Sequence, residues 1–320
     1  MKNSPLYYGV GPLLYCPANK DMIASSIIEQ KFGNKFSLAL CLEDTINDSL
    51  VTEAEQKLTA SIQQIYTART QKFFYLPKIF IRVRNPEQIL HLLDLFGPSM
   101  EIISGFILPK FSPANAGCYI QNMITANERS SRTFYMMPIF ESADLIDLRT
   151  RYNYLYALKD KLAQVENLVL NIRIGGNDLC SFFGFRRHAD QTIYRLRPIA
   201  DFLSDIVTVY GRDYVISGPV YEYFSGYGWE EGLIHEIAED KLCGMIGKTV
   251  IHPNQISIVN DAYKVPQKDY QDALSILQWD ANAASYVAAD PGHERMDERK
   301  THRSWAEQIL LLADAYGIYT

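Results

Sequence analysis

Short apolar runs rich in Val, Ile, Phe and Tyr recur along the chain, and the stretches between them carry helical spacing. The runs predict strands near LLYC (13–16), FSLALCLED (36–44), KIFIRVR (78–84) and ISGFILPK (103–110). Four more follow near FYMMPIFE (134–141), LVLNIRIGG (168–176), YVISGP (214–219) and MIGKTVI (245–251). Several are apolar on both faces, as parallel strands covered by helices must be. Stretches such as DSLVTEAEQKLTASIQQIYTAR and GWEEGLIHEIAEDKL predict the intervening helices. Strands and helices alternating about eight times over about 250 residues predict an α/β fold, a (β/α)8 TIM barrel, with a doubly wound open sheet as the alternative.

After residue 252 the pattern changes. HPNQISIVNDAY and KDYQDALSILQWDANAASY (268–286) read as helices, and the polar stretch DPGHERMDERKTH leads to a last helix, SWAEQILLLADAYG. The expected organisation is a barrel catalytic domain over 1–252 and a C-terminal helical extension or lid over 253–320. No internal repeat or low-complexity tract interrupts it.

Composition narrows the class. Hydrophobic residues make up 48% of the 320 positions and charged residues 21%, the balance of a globular protein. A net charge of -6 without a basic stripe argues against nucleic acid as a partner. The opening MKNSPLYYGV has no apolar signal core, and no run approaches the roughly 18 apolar residues of a membrane span. Five scattered cysteines without a CxxC pair fit free thiols in a reducing cytoplasm.

Candidate chemistry lies at the carboxyl ends of the strands, where a barrel gathers its functional groups. The second strand ends in Glu43 and Asp44, the third carries Arg82 and Arg84, and the fourth ends in Lys110. Glu141 ends the fifth strand and Asp178 follows the sixth. Period-two alternation puts Arg82 and Arg84 on one face. Taken singly, Asp44 or Asp178 suits a helix N-cap, two arginines suit structural ion pairs, and Lys110 suits a solvated turn. Ser142 could cap a helix beside Glu141. Five charged strand ends in succession instead suggest acids and bases converging on one mouth. Two carboxylates from neighbouring strands, Glu141 and Asp178, suit Mg²⁺, which is commonly held by one or two carboxylates and leaves positions for water and substrate. The glycines before Asp178 would let the backbone pass close to the ligand. A neighbouring arginine would grip a substrate carboxylate through paired hydrogen bonds.

Other motifs fail on spacing. GKT (247–249) lacks the glycine a phosphate loop needs at 242, where Leu242 stands. His235-Glu236 has no second histidine for a zinc motif, no GxSxG elbow occurs, and GGND is too short for a dinucleotide fingerprint.

The same segments resemble a known family. LLYCPANKDMI resembles the opening LFVPG of the citrate lyase β-subunit and HpcH/HpaI aldolase superfamily, LCLEDTI its DLEDAV, and GFILPK its IILPK. MPIFES and IGGNDLCSFFG resemble the segments carrying its metal-binding glutamate and aspartate, and GKTVIHPNQISIVNDAY is similar to GKxxIHPxQIxxVNxAF, the most specific match. The chain also resembles a divergent branch associated with tellurium-resistance and stress gene clusters. By motif position the resemblance implies Glu141 and Asp178 as ligands of Mg²⁺, with Mn²⁺ as a substitute. It implies Arg82 as the substrate-binding arginine, with Gly176 and Asn177 beside it, and Glu43, Asp44 and Lys110 as supporting groups of the mouth. Asp297 falls near an acid that some relatives present from a C-terminal lid, sometimes into a neighbouring subunit. Relatives are trimers or hexamers, so a homo-oligomer is expected. Two departures stand out: Gly11-Pro12 replaces the usual Arg-Ser pair, and Arg84 replaces an asparagine. The added positive charge suggests a more anionic ligand, phosphorylated or polycarboxylate, and weighs against coenzyme A.

The implied reaction is Mg²⁺-dependent carbon–carbon cleavage of a citryl-, malyl- or citramalyl-type coenzyme A thioester, or of a free oxo-acid, through an enolate. Arg82, assisted by Arg84, would hold the substrate carboxylate, and the base would be Asp297, Glu43 or a water at the metal. A thioester hydrolase or synthase, and a non-catalytic ligand-binding barrel, are the alternatives.

Overall fold

The computed structural model describes residues 4–280, 283–290 and 292–319. Seven parallel strands form one curled sheet: β1 (Pro12–Pro17), β2 (Ser37–Cys41), β3 (Lys78–Arg82), β4 (Ile103–Leu108), β5 (Tyr135–Phe140), β6 (Arg173–Ile174) and β7 (Lys248–Val250). Their order is β6-β5-β4-β3-β2-β1-β7. The eighth wall position is filled by the predicted 214–219 run, reduced to two parallel bridges, Ile172 to Ile216 and Gly218 to Lys248. Backbone hydrogen bonds from Ile172 to Val215 O and from Ile246 to Ile216 O, 2.9 and 2.8 Å, tie it to both neighbours and close the barrel. Pro219 ends this run. At Gly218 a β-carbon would stand 2.4 Å from the buried Asp240 carboxylate, so only glycine fits there.

Alternation along the strands sorts side chains into two cores. Leu13, Ala39, Phe80, Ile107, Met137 and Ile139 fill the barrel interior, and Val10 joins them from below. Leu14, Leu38, Leu40, Ile79 and Ile81 face outward onto the helices. The helix Val51–Gln71 shows why the covering layer forms: Ala54, Leu58, Ile62 and Ile65 recur at helical spacing and are fully buried. Each of the larger ones contributes about 1.5–3 kcal/mol of burial.

The helix Asn254–Tyr263 belongs to the barrel, since Ile256, Val259 and Tyr263 enter its outer core. Val265, Ala273, Ile276, Ala306 and Ile309 form a separate small core in the extension. On this packing we draw the division near Lys264, later than the 252 that the change of pattern suggested. The helix predicted over 268–286 ends at Leu277. Its positions 281 and 282 lie outside the described residues, as do 1–3 of the opening segment and 291 of the polar stretch. Val287–Ala289 and Met296–Glu298 then pair as a short antiparallel hairpin. The last helix, Arg303–Tyr316, returns to the barrel, where Tyr316 stacks on Tyr263 with ring centroids 5.1 Å apart. All five cysteines are free, and among the described residues no helix is long and apolar enough to cross a membrane.

Candidate active site

The carboxyl end of the barrel opens into a cavity of about 350 Å³ lined by Tyr15, Asp44, Arg82, Ile139, Glu141, Arg173, Gly176, Asn177, Asp178 and Thr249, among others. Arg82, the last residue of β3, points inward and is 7% exposed. Its Nη2 meets Glu43 Oε2 at 2.8 Å, Asp44 Oδ2 at 2.9 Å and Glu141 Oε1 at 3.2 Å. Three acids from two strand ends thus share one guanidinium nitrogen, while Arg82 Nε has no hydrogen-bond partner among the described residues.

Lys110 holds the cluster from the other side. Its backbone is left-handed, with φ 48°, which turns its N–H onto Glu141 Oε1 at 2.9 Å. Its Nζ donates to Glu43 Oε1 at 2.7 Å and Asp44 Oδ1 at 3.3 Å. Burial alone would raise the Asp44 carboxyl, but the Glu43 hydrogen bond and the Arg82 and Lys110 charges outweigh it and hold Asp44 below its ordinary value. Glu43 is shifted upward, by burial first and by its hydrogen bond to Asp44 second.

The N-cap readings of the two aspartates do not hold. Asn47 caps the turn Asp48–Leu50, and Asp178 lies inside the first turn of the helix Gly176–Ser181, after Gly175. Ser142 does cap the next turn, its Oγ accepting from Asp144 N–H at 3.3 Å, which leaves Glu141 free for other work. Glu141 is 3% exposed, and its carboxyl is pushed up to about 7, by burial first and with the Asp178 charge adding, against the pull of Arg82. Asp178 is raised as well, by burial and then by Asp44. The two carboxyls line the same cavity and act on each other electrostatically, from neighbouring stretches of the wall. Two acids in one partly dry pocket, both shifted upward, are the donor set that a hard dication would satisfy. Among the described residues no cluster of three or more His, Cys, Asp or Glu is arranged to hold a metal, so the acid pair would need water and substrate oxygens to complete the shell.

The glycines serve a different purpose from the one expected. A β-carbon at Gly175 would meet Glu141 Oε2 at 2.1 Å, and one at Gly176 would meet Ile193 and Pro219 at 2.8 and 3.0 Å. They bring the backbone close to Glu141 and the barrel wall, where the ligand had been expected.

Two residues do not sit where the sequence suggested. The strand ends at Arg82, so period two no longer governs Arg84. Its Nη1 donates to the carbonyls of Leu42, Glu43 and Ile46 at 3.0–3.2 Å, and Nη2 pairs with Asp48. Arg84 therefore anchors the loop after β2 and does not line the cavity. Asp297 is buried in the extension among Asp272, Arg295, Asp290 and His302, because the hairpin turns it toward the helix Gln267–Leu277. Among the described residues, none beyond Ile251 lines the cavity.

Sequence reasoning missed Tyr15, Arg173 and Thr249. Arg173 left a signal, a lone charge inside the apolar run LVLNIRIGG. Tyr15 and Thr249 left none, being ordinary strand residues.

A parallel barrel with acids, arginines and a lysine converging at its carboxyl end is the architecture of a TIM-barrel enzyme. Residues 4–318 match the C-C bond lyase family of the TIM-barrel fold, and the chain belongs to that family. A citrate lyase from Burkholderia xenovorans LB400 superposes with a TM-score of 0.73 at 15% identity, over 97% of this chain and 93% of that one. CitE from Mycobacterium tuberculosis in complex with magnesium, acetoacetate and coenzyme A gives 0.64 at 16% identity, over 96% and 99%. The citrate lyase β-subunit of the same organism, complexed with oxaloacetate and magnesium, gives 0.53 at 18% identity, over 81% and 99%. Among curated protein sequences none matches.

Proposed function

We propose that this protein is a Mg²⁺-dependent lyase that cleaves a carbon–carbon bond beside a carbonyl, in a carboxylate-bearing 3-hydroxyacyl thioester or a free oxo-acid. The observation that carries the reading is the meeting of Glu141 and Asp178 in the cavity that Arg82 also lines. Solved relatives hold magnesium with acetoacetate and coenzyme A, or with oxaloacetate.

Glu141 and Asp178 would hold the ion, and Mn²⁺ would fit the same oxygen donors. When bound, it supplies a Lewis acid for the carbonyl oxygen that gains charge as the bond breaks. The chain's own groups do the rest. Arg82 spends Nη2 on the acids and leaves Nη1 with only a long contact to Cys41 Sγ at 3.9 Å, so Nη1 would be the donor to a substrate carboxylate. Fixing that end removes much of the orientational entropy from the barrier. Asp44 lines the cavity and Glu43, hydrogen-bonded to it, has the higher proton affinity. The pair takes the proton from the substrate hydroxyl: the C–O–H becomes a carbonyl, the neighbouring carbon–carbon bond breaks, and its electron pair stays on the departing enolate. Lys110 keeps both acids in place and offsets their charge. Asp297 would act only on a neighbouring chain's mouth, in a homo-oligomer.

Incubation with a malyl thioester and Mg²⁺ tests the reading. Release of glyoxylate supports the lyase, whereas release of free malate without glyoxylate makes the protein a thioester hydrolase.

A further inference from the structure

Arg82 has three acids to answer its charge, and Lys110 has two of the same three. Arg173 has none. It stands on the inner face of β6 in register with Ile139, 2% exposed, and lines the cavity. Its Nη2 donates to Thr249 Oγ1, while Nε and Nη1 have no hydrogen-bond partner among the described residues. Tyr15 lies within electrostatic reach of both Arg173 and Arg82. The two arginines stand three strands apart around the wall and face one cavity from two sides.

An unpaired buried cation is costly to the fold, and a guanidinium keeps its charge under these conditions. Its two unpartnered N–H groups, Nε and Nη1, lie on opposite edges of the guanidinium, so each would donate singly to an oxygen of a carboxylate or phosphoryl group. We infer that Arg173, with Thr249 and Tyr15 beside it, forms a second anion-binding subsite inside the barrel, so that the substrate carries two anionic groups, one for each arginine. This rests on the lyase reading for the first group, held by Arg82, and adds the class of substrate: a diacid or a phosphoryl-bearing oxo-acid in place of a simple monocarboxylate.

The test is calorimetric titration of the full chain in Mg²⁺ with pyruvate, oxaloacetate and phosphonopyruvate, on the wild type and on Arg173→Met, with thermal midpoints measured alongside. The wild type should bind a dianionic member about 10- to 100-fold more tightly than pyruvate, the range of a charge-assisted hydrogen-bonded pair. Arg173→Met should erase that preference, leave pyruvate binding intact, and raise the midpoint of the ligand-free protein. A preference for oxaloacetate assigns the subsite to a carboxylate, and one for phosphonopyruvate to a phosphoryl group. A lowered midpoint with the preference retained overturns the inference, because Arg173 is then structural. Equal wild-type affinity for all three also overturns it and leaves the lyase reading standing. Dianion binding that needs Arg173 but not Mg²⁺ supports the subsite and overturns the metal-dependent lyase. Binding of none of them overturns both.

Discussion

Gly175 and Glu141 are packed so tightly that a single methyl group cannot be placed between them: a β-carbon on Gly175 would lie 2.1 Å from Glu141 Oε2 and 2.5 Å from Glu141 Cβ. Glu141 is held from the other side by Arg82 and the Lys110 N–H. It therefore has one position, and the glycine defines one of its walls.

Gly175→Ala should displace the Glu141 carboxylate and weaken Mg²⁺ binding at least tenfold. The overpacking cost to the fold is about 1–3 kcal/mol. Titration with Mg²⁺ and a urea melt measure the two effects. Unchanged metal affinity would mean that Glu141 is not a ligand.

Arg82→Met should be strongly destabilising, by about 3–5 kcal/mol, because it leaves buried acids with an uncompensated charge. Glu43 and Glu141 are both nearly inaccessible, so solvent cannot take over the role. Chemical denaturation checks this. The contrast with Arg173→Met, expected to stabilise the ligand-free protein, separates a cation that is paired within the fold from one that is not.

Mg²⁺ binding should depend on pH. The Glu141 carboxyl is raised from its ordinary 4.5 to about 7, by burial first. A folded value above the unfolded one means that the protonated form stabilises the metal-free protein. That contribution is fully present below about pH 4.5 and is lost as pH rises through about 7. The dication must displace this proton, so affinity should climb about tenfold per pH unit between roughly pH 5 and 7 and then level off. Titrations at several pH values check it, and a flat profile would contradict the assignment of Glu141.

Arg84→Met should cost about 1–3 kcal/mol, from the loss of its bonds to the Leu42, Glu43 and Ile46 carbonyls. The preference among anionic ligands should not change. A changed preference at unchanged stability would return Arg84 to the substrate.

The barrel was legible because its strands are buried on both faces, which writes them as apolar runs whatever the tertiary detail. The 214–219 run was visible too, although Gly218 and Pro219 leave it only two bridges. The charged strand ends pointed to Glu43, Asp44, Arg82, Lys110, Glu141 and Asp178 as neighbours, and the structure brings these six together. Arg84 was misread because alternation was extended past Arg82, where the chain already leaves the sheet. Asp297 could not be located from sequence, since its place depends on a hairpin of three-residue strands that carries no periodic signal. Arg173 left its signal as a lone charge between Ile172 and Ile174, but the run alone did not say which face it takes, and the barrel's closure does.

The central claim, that Glu141 and Asp178 jointly hold the metal, is tested most directly by anomalous scattering from crystals grown with Mn²⁺ and oxaloacetate. The account predicts one manganese peak between the two carboxylates in the wild type, and none there in Asp178→Asn. A peak elsewhere, or one that survives the loss of Asp178, would contradict it.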